Sequence, residues 1–511
     1  MATSPSRALK RVLIANRGEI ACRVMRACRE EGLETVAVYS DADAAALHVA
    51  TADRAVRLGP APAGESYLSI ERVLDAVRES GADAVHPGYG FLSENAGFAQ
   101  ACADAGVTFI GPSPAAIAAL GNKVRAREMA AKADVPTVAG SGEPVKDAAE
   151  AVQVADRIGY PVLLKAAAGG GGKGMRVVHR REDVAESLAR AASEAGAAFK
   201  DTSVYIEKYL ASPHHVEIQI MGDQHGNVVY LGERECSVQR RHQKVVEESP
   251  SPTLDDDLRR RMGAAAVRVA RASGYYGAGT VEFLVDGTGA FYFLEVNTRL
   301  QVEHPVTEMV TGLDLVKLQL AVARGEKLPF GQDDVKPRGW AIEVRLYAED
   351  TAENFRPAPG TLTLYRRPSI PWLREDTGVR EGAVITPHYD PMISKVIAWG
   401  ATRAEAIARL TRALEGFAIA GIKTTVPFLL RVLGHEAFRA GRTTTDFIEK
   451  HRAELFAPPP DELVDRAAIV AALARALSDG ALAQGDLAPQ PSNWKAFGRR
   501  QAMSSAFRYR D

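Results

Sequence analysis

Between Glu282 and Pro305 the chain reads EFLVDGTGAFYFLEVNTRLQVEHP, which gathers acid, amide, guanidinium and imidazole groups into one short stretch. Asp286-Gly287-Thr288-Gly289 is a reverse-turn signal between two apolar runs, so the stretch opens as a β-hairpin. With Val285 paired to Ala290, Glu282 faces Phe293, and Glu295 and Asn297 follow on that face at period two. Glu282 and Glu295 are then diagonal cross-strand neighbours, about 7–8 Å apart at the backbone. Carboxylates held that way repel unless a cation lies between them. Hard oxygens from Glu282, Glu295 and Asn297 suit Mg²⁺ or Mn²⁺ bridging nucleotide phosphates. The other reading is a solvated hairpin face with two stray acids; the apolar neighbours and the polar residues that follow favour the metal. Arg299 and Gln301 alternate beyond the hairpin, where they can clamp a small planar oxyanion. Glu303 would stand close enough to act as general base. His304 reads equally well as structural.

A second chemical feature is Lys165-Ala166-Ala167-Ala168-Gly169-Gly170-Gly171-Gly172-Lys173-Gly174-Met175, between the apolar runs YPVLLK and MRVVH. A P-loop needs Gly-Lys followed by Ser or Thr and a helix, and neither is present. A glycine-rich turn between strands can instead fold over phosphates and offer backbone N–H donors. Lys165 at the strand end and Lys123 upstream are candidates for the α- and β-phosphates. Glu207-Lys208-Tyr209-Leu210 reads as a hinge whose backbone could meet an adenine ring. A further hairpin starts at His215, turns between Gly222 and Asn227, and leads to the basic cluster Gln239-Arg240-Arg241-His242-Gln243-Lys244. Without aromatic interleaving, that cluster points to anion handling beside a metal–nucleotide site rather than to nucleic acid.

The elements that must position these groups alternate along the chain. RVLIA, TVAVYS, DAVHPG and TFIGPS read as strands and GEIACRVMRACREEG as a helix, a βαβ pattern that implies a doubly wound parallel sheet. Asn16-Arg17-Gly18-Glu19-Ile20 is not GxGxxG, so no dinucleotide site is assigned there. From about Asn122 a helix (KVRAREMAAKAD) precedes a mixed segment, and hairpin-rich sequence continues to about Pro305. TGLDLVKLQLAVARG is helical. GWAIEVRLYAE, TLTLYRR and ISKVIAWG read as strands and RAEAIARLTRALEGF as a helix of a third, α+β unit. After Pro458-Pro459-Pro460 comes one Ala-rich amphipathic helix and an irregular end.

The 63 basic and 64 acidic residues among 511 balance, which argues against nucleic acid or an anionic membrane as partner. No apolar run approaches the roughly 18 residues that span a bilayer. The opening MATSPSRALK leaves no room for a secretory signal before the apolar run Val12 to Ala15. Four scattered cysteines without CxxC spacing fit a reduced cytoplasmic compartment.

From about Arg11 to Ile448 the chain resembles the biotin carboxylase family of the ATP-grasp superfamily. The resemblance rests on ANRGEIA, HPGYGFLSEN, KAAAGGGGKGM, EKYL, HHVEIQ, ERECSVQRRHQKVVEESP, TVEFL, FLEVNTRLQVEHPVTE and HYDPMISKVI. It implies an N-terminal α/β domain (1–121), an ATP-grasp domain (122–335, with a mobile lid at about 138–210), a C-terminal α+β domain (336–450) and a tail (451–511). It also implies a reaction: ATP phosphorylates bicarbonate to carboxyphosphate, which yields CO₂ and phosphate. The phosphate removes the N1′ proton of biotin, and the resulting enolate attacks CO₂. By the same resemblance Glu282, Glu295 and Asn297 are metal ligands. Arg299, Gln301 and the Val302 backbone contact bicarbonate, and Glu303 deprotonates it. Arg345 stabilises the biotin enolate, Lys244 lies near carboxyphosphate, and Tyr89 contacts biotin. Lys123, Lys165, Gly170, Gly171 and Glu207 fall at nucleotide positions, as do Leu210, His215, Gln239, His242 and Leu284.

The biotin attachment sequence Ala-Met-Lys-Met is absent, and there is no space for a carboxyltransferase domain. The expectation is a separate subunit of an acyl-CoA carboxylase, a homodimer by family habit, working on biotin held by a separate carrier protein and alongside a carboxyltransferase subunit. The basic, aromatic tail is either a docking segment or a disordered terminus. Two further readings are an ATP-grasp ligase joining an acyl phosphate to an amine, which QRRHQKVVEESP and EVRLYAED oppose, and a non-catalytic nucleotide-binding subunit, which intact Arg299, Glu303 and Arg345 oppose.

Overall fold

The computed structural model describes residues 8–166, 175–199, 202–241, 243–458 and 461–483. Gly170, Gly171, His242 and the basic end of the tail lie outside the described residues. The chain divides into two units, residues 1–455 and 456–511.

The first unit opens with strands β1 (Arg11–Ile14), β2 (Glu34–Ser40), β3 (Arg54–Gly59), β4 (Ala84–His86) and β5 (Thr108–Phe109). They form a fully parallel sheet in the order β3-β2-β1-β4-β5. Val12, Leu13 and Ile14 are wholly buried in succession, because helices cover both faces of a parallel sheet. Helix α1 (Gly18–Glu30) turns Ile20, Ala21, Val24, Met25, Ala27 and Cys28 inward at helical spacing. Strand order reverses between β1 and β4, where ligands of open α/β sheets bind. Asn16 spans that point: its Nδ2 donates to Pro87 O at 2.8 Å and Tyr89 O at 2.7 Å. Gly88 has φ of +64°, and a Cβ there would meet Asn16 Nδ2 at 2.9 Å, so only glycine lets the two loops close this tightly.

Helix α2 (Lys123–Lys132) leads to helix α3 (Ala148–Ile158). The antiparallel strands β6 (Val162–Ala166), β7 (Met175–Val178) and β8 (Val204–Lys208) follow, in the order β7-β6-β8. Helix α3 and helix α4 (Val184–Phe199) share the apolar core of this small sheet.

The large sheet is antiparallel. Its strands are β9 (His214–Gly222), β10 (Val228–Arg240), β11 (Gln243–Ser249), β12 (Gly277–Val285), β13 (Phe291–Asn297), β14 (Trp340–Tyr347), β15 (Leu373–Thr377) and β16 (Met392–Gly400). They lie in the order β13-β12-β9-β10-β11-β14-β16-β15. Helix α5 (Asp256–Ala272) packs its Leu258, Met262, Ala266 and Val269 against one face, over Ile218, Val281 and Phe283. Helix α6 (His304–Thr311) begins where the residues after β13 end, and its Val306 and Val310 pack on Ala341 and Ile397. The sheet therefore carries the acidic hairpin at one edge and Arg345 near the other as parts of one hydrogen-bonded body. Helix α7 (Arg403–Gly416) covers β16. The segment TLTLYRR shrinks to a three-residue strand, Leu364–Arg366, paired with Ala418–Ala420.

In the second unit the Ala-rich helix α8 runs from Asp461 to Ala483, with Val464, Ile469, Val470 and Leu473 all exposed. No helix among the described residues is long and apolar enough to cross a membrane.

Candidate functional site

The β12–β13 hairpin closes at Asp286, whose N–H donates to Ala290 O at 2.9 Å and whose Oδ1 accepts the N–H groups of Thr288 and Ala290. Val285 consequently pairs with Phe291, one residue beyond the expected Ala290. The ladder then runs Leu284–Tyr292 and Phe283–Phe293, meets a β-bulge, and resumes as Glu282–Glu295, Val281–Val296 and Thr280–Asn297. The core imposes this. Phe283, Phe291 and Phe293 pack edge to face, and Val296 joins the same core three positions on. Two positions three apart share a face only if one residue is extra. Each buried side chain stabilises by about 1.5–3 kcal/mol, against about 1 kcal/mol for a ladder hydrogen bond, so the bulge wins. The sequence expectation is corrected twice: Phe293 points away from the acids, and Glu282 stands directly opposite Glu295 instead of diagonal to it.

Glu282 is nearly buried and saturated with donors. His215 Nε2 reaches its Oε2 at 2.8 Å, while Lys244 Nζ (2.9 Å), Asn297 Nδ2 (2.8 Å) and Gln301 Nε2 (3.2 Å) share Oε1. Burial alone would raise its pKa, but Lys244 and His215 outweigh burial and hold it well below the carboxylate range. His215 moves the other way: burial lowers its pKa, and the adjoining Glu282 raises it above the ordinary value. Glu295 has Lys123 Nζ at 3.6 Å. Two opposed carboxylates and the neighbouring amide of Asn297 form an all-oxygen donor set that fits a hard divalent cation.

The residues after β13 form a loop rather than a continued strand, and Arg299 and Gln301 touch within it. Arg299 donates to Gln301 Oε1 at 3.0 Å, to Asn297 Oδ1 at 3.2 Å, and through Nε to Glu94 Oε2 at 2.9 Å. Glu94 also accepts the Thr298 N–H at 3.0 Å, so a residue from the turn that follows β4 sets the start of this loop. Glu303 is wholly buried, one layer behind the cavity wall. Lys244 Nζ donates to its Oε1 at 2.6 Å and Arg345 to its Oε2 at 2.9 Å. Against burial, Lys244, Arg345 and Arg234 keep its pKa well below the usual range. Arg345 also donates to Glu247 at 2.6 Å. Arg234, with no exposed surface, binds Glu217, Gln219 Oε1 (2.6 Å), Thr307 (2.9 Å) and Thr280 (3.0 Å). Burial pushes Glu247 up to about 7 despite Arg345.

A single cavity of about 1750 Å³ joins these groups to the small sheet. It exceeds the roughly 300–1,000 Å³ of a one-ligand pocket, so there is room for a nucleotide and a second substrate together. Lys123, Lys165, Glu207, Leu210, His215, Gln239 and Leu284 line it, as do Lys244, Glu282, Glu295, Asn297, Arg299, Gln301, Val302, Arg345 and Tyr89. Lys165 Nζ pairs with Glu207 at 2.6 Å, and Arg127 binds the same carboxylate. The Lys208 and Tyr209 N–H groups are taken by Ala139 O and Pro161 O. Tyr89 donates its hydroxyl to Glu19. His304 is structural: its buried Nδ1 and its N–H both meet Gln301 O.

Sequence reasoning did not single out Glu19, Glu94, Arg127, Glu217, Arg234, Glu247 or Lys395. Two carried a usable signal. Glu217 follows His215 at period two on β9, and Arg127 lies one helical turn from Lys123.

A small sheet and a large antiparallel sheet enclosing a cavity with room for a nucleotide, with paired acids on the large sheet and Lys165 on the small one, define an ATP-grasp ligase. The description "Biotin carboxylase, N-terminal domain" matches residues 8–117, "Carbamoyl-phosphate synthase L chain, ATP binding domain" residues 122–330, and "Biotin carboxylase C-terminal domain" residues 343–450. The chain is 52% identical over 444 residues to Biotin carboxylase 1 of Bacillus subtilis, covering 87% of this chain and 99% of that protein. It is 53% identical over 450 residues to the mitochondrial methylcrotonoyl-CoA carboxylase subunit alpha of rice, covering 88% of this chain but only 61% of that subunit. The biotin carboxylase domain dimer of Hydrogenobacter thermophilus 2-oxoglutarate carboxylase, solved with MgADP, ADP and bicarbonate, superposes with a TM-score of 0.83 at 46% identity, covering 88% of this chain and 99% of that one. The chain belongs to the biotin carboxylase family. Its activity is the ATP-dependent carboxylation of biotin, with Mg²⁺ as the metal.

Proposed function

We propose that the chain performs the first half-reaction of an acyl-CoA carboxylase, transferring a carboxyl group from bicarbonate to biotin borne by a separate carrier protein. The observation that carries this is Glu303, buried behind the Arg299–Gln301 pair with one oxygen on Lys244 and the other on Arg345. Arg299, Gln301 and the Val302 N–H hold bicarbonate, and Glu303 accepts its proton. The freed oxygen attacks the γ-phosphorus, ADP departs, and carboxyphosphate forms. It breaks to CO₂ and phosphate, the phosphate takes the N1′ proton of biotin, and the ureido nitrogen attacks CO₂ while Arg345 offsets the enolate charge. The depressed pKa of Glu303 belongs to the state in which Lys244 and Arg345 point at it. An arriving anion draws both cations toward itself, and the carboxylate becomes more basic as bicarbonate binds. Glu282, Glu295 and Asn297 supply the oxygens for Mg²⁺ or Mn²⁺, which when bound offsets charge on the phosphates. Lys123, Lys165 and His215 face the nucleotide, and Tyr89 faces biotin.

The division into an N-terminal α/β domain (1–121), an ATP-grasp domain (122–335), a C-terminal α+β domain (336–450) and a partner-docking tail (451–511) belongs to the same reading. So do a homodimer, for which the Hydrogenobacter domain dimer is the support, and a carboxyltransferase subunit as the next enzyme. A reducing cytoplasm suits the four free cysteines. The test is bicarbonate-dependent ATP hydrolysis with and without free biotin. Turnover indifferent to both would sink the proposal.

A further inference from the structure

Lys395 on β16 has no exposed surface, yet its ammonium is placed among groups that border the cavity. Its Nζ donates to the Val302 carbonyl at 2.8 Å and lies 3.2 Å from Glu19 Oε1, the carboxylate that accepts the Tyr89 hydroxyl. The same nitrogen sits 6.0 Å from the Tyr89 ring centroid. Across the sheet Lys395 pairs in register with Arg345 on one side and Asp376 on the other. Two cations directly opposite each other destabilise a sheet, and a buried cation is no better for stability than a well-packed apolar side chain. Glu19 at 3.2 Å and Asp376 at 3.9 Å give this ammonium its ion-pair partners, but ion pairing alone gives no reason for it to bond the Val302 carbonyl.

The contacts supply one. A trans peptide is planar, so fixing its carbonyl fixes the direction of its N–H and of the chain that leaves it. The Gln301 carbonyl is held by His304, which turns the Val302 N–H to the opposite side. The Val302 carbonyl is held by Lys395, which sets the plane from which Glu303 departs. The Glu303 side chain is gripped at its far end by Lys244 and Arg345. We propose that Lys395 is a positioning residue for the carboxylation reaction: it locks the Val302–Glu303 peptide so that bicarbonate and its base meet, and ties that peptide through Glu19 to Tyr89 on the biotin side. The inference rests on the bicarbonate reading above. Lys395 touches no substrate; its effect passes through Val302, Glu303 and Tyr89.

Lys395→Met leaves Glu19 facing an uncompensated site, so Lys395→Met/Glu19→Gln, which removes both charges, is measured beside it. Phosphate release is followed at varied bicarbonate and varied ATP, with and without free biotin, and folding is checked by cooperative melting. Loss of a charge-assisted hydrogen bond predicts that KM for bicarbonate rises about tenfold to a hundredfold in either folded variant, while KM for ATP stays within about twofold of wild type. Biotin stimulation of ATP hydrolysis falls with it. An unchanged KM for bicarbonate in a folded variant overturns the inference alone, as does an equal rise in both KM values. A wild-type chain without bicarbonate-dependent hydrolysis overturns the underlying reading instead.

Discussion

Lys244→Met tests the electrostatics of the site most directly. The Lys244 ammonium is shared by Glu303 at 2.6 Å, Glu282 at 2.9 Å and Glu217, all three nearly or wholly buried. Around it the acids Glu217, Glu247, Glu282 and Glu303 face the bases Lys244, Arg234 and Arg345, with His215 pushed toward its charged form by Glu282. Removing Lys244 leaves the acids one cation short where their own carboxylates have little or no exposed surface. Breaking a buried pair by deleting one partner costs about 3–5 kcal/mol. The protein can relieve this only by protonating a carboxylate, whose folded pKa then lies above its unfolded value. A group shifted in that direction is fully stabilising below its unfolded pKa and loses the contribution as pH rises through the folded one. The variant should therefore melt well below wild type at pH 8 and approach it toward pH 5. Lys244→Met/Glu217→Gln, which restores the balance, should close most of the gap at pH 8. Apparent melting midpoints followed by circular dichroism across pH 5–8.5 give the comparison. A Lys244→Met chain as stable as wild type at pH 8, or a deficit that does not shrink on acidification, refutes the argument.

Glu303→Gln should bind MgADP as wild type does in calorimetry while bicarbonate-dependent turnover drops about 10²- to 10⁴-fold, the scale of a lost general base; a fully active variant removes Glu303 from that role. Burial raises Glu247 to about 7, so its contribution to stability is complete below about 4.5 and disappears as pH rises through about 7. Melting midpoints of Glu247→Gln should accordingly vary less between pH 5 and 8 than those of wild type, and parallel profiles would contradict this. Glu94→Ala strips Arg299 Nε and the Thr298 N–H of their acceptor. KM for bicarbonate should rise about tenfold with KM for ATP unmoved, measured by phosphate release, and equal changes in both would show a general loosening instead.

The legible part of this site was the part written in one contiguous stretch. Glu282, Glu295, Asn297, Arg299, Gln301 and Glu303 lie within 22 residues of sequence, and their types alone announced a cation, an anion clamp and a base. Their arrangement was less legible. The bulge after Phe293 depends on Phe283 and Val296 entering a core completed by α5, which hairpin spacing cannot reveal. Arg234 finds Thr307 across 73 positions and Lys395 finds Val302 across 93, so neither pairing leaves a local trace. The parallel sheet could be read from its βαβ rhythm. That β14, β15 and β16 extend the nucleotide sheet could not, because antiparallel edges join wherever hydrogen-bonding partners meet.

The bulge at Leu294, opposite the step from Glu282 to Phe283, also divides β13 into two stretches. On one side the strand keeps step with the aromatic core, and on the other with the acids. Straightening the strand at its present length, with Leu294 back in step, would swing Glu295 and Asn297 toward α5 and take the oxygen donors from the cavity, whereas deleting Leu294 would leave Glu295 opposite Glu282. In this strand the extra step at Leu294, as much as the identity of the acids, decides which side chains reach the cavity.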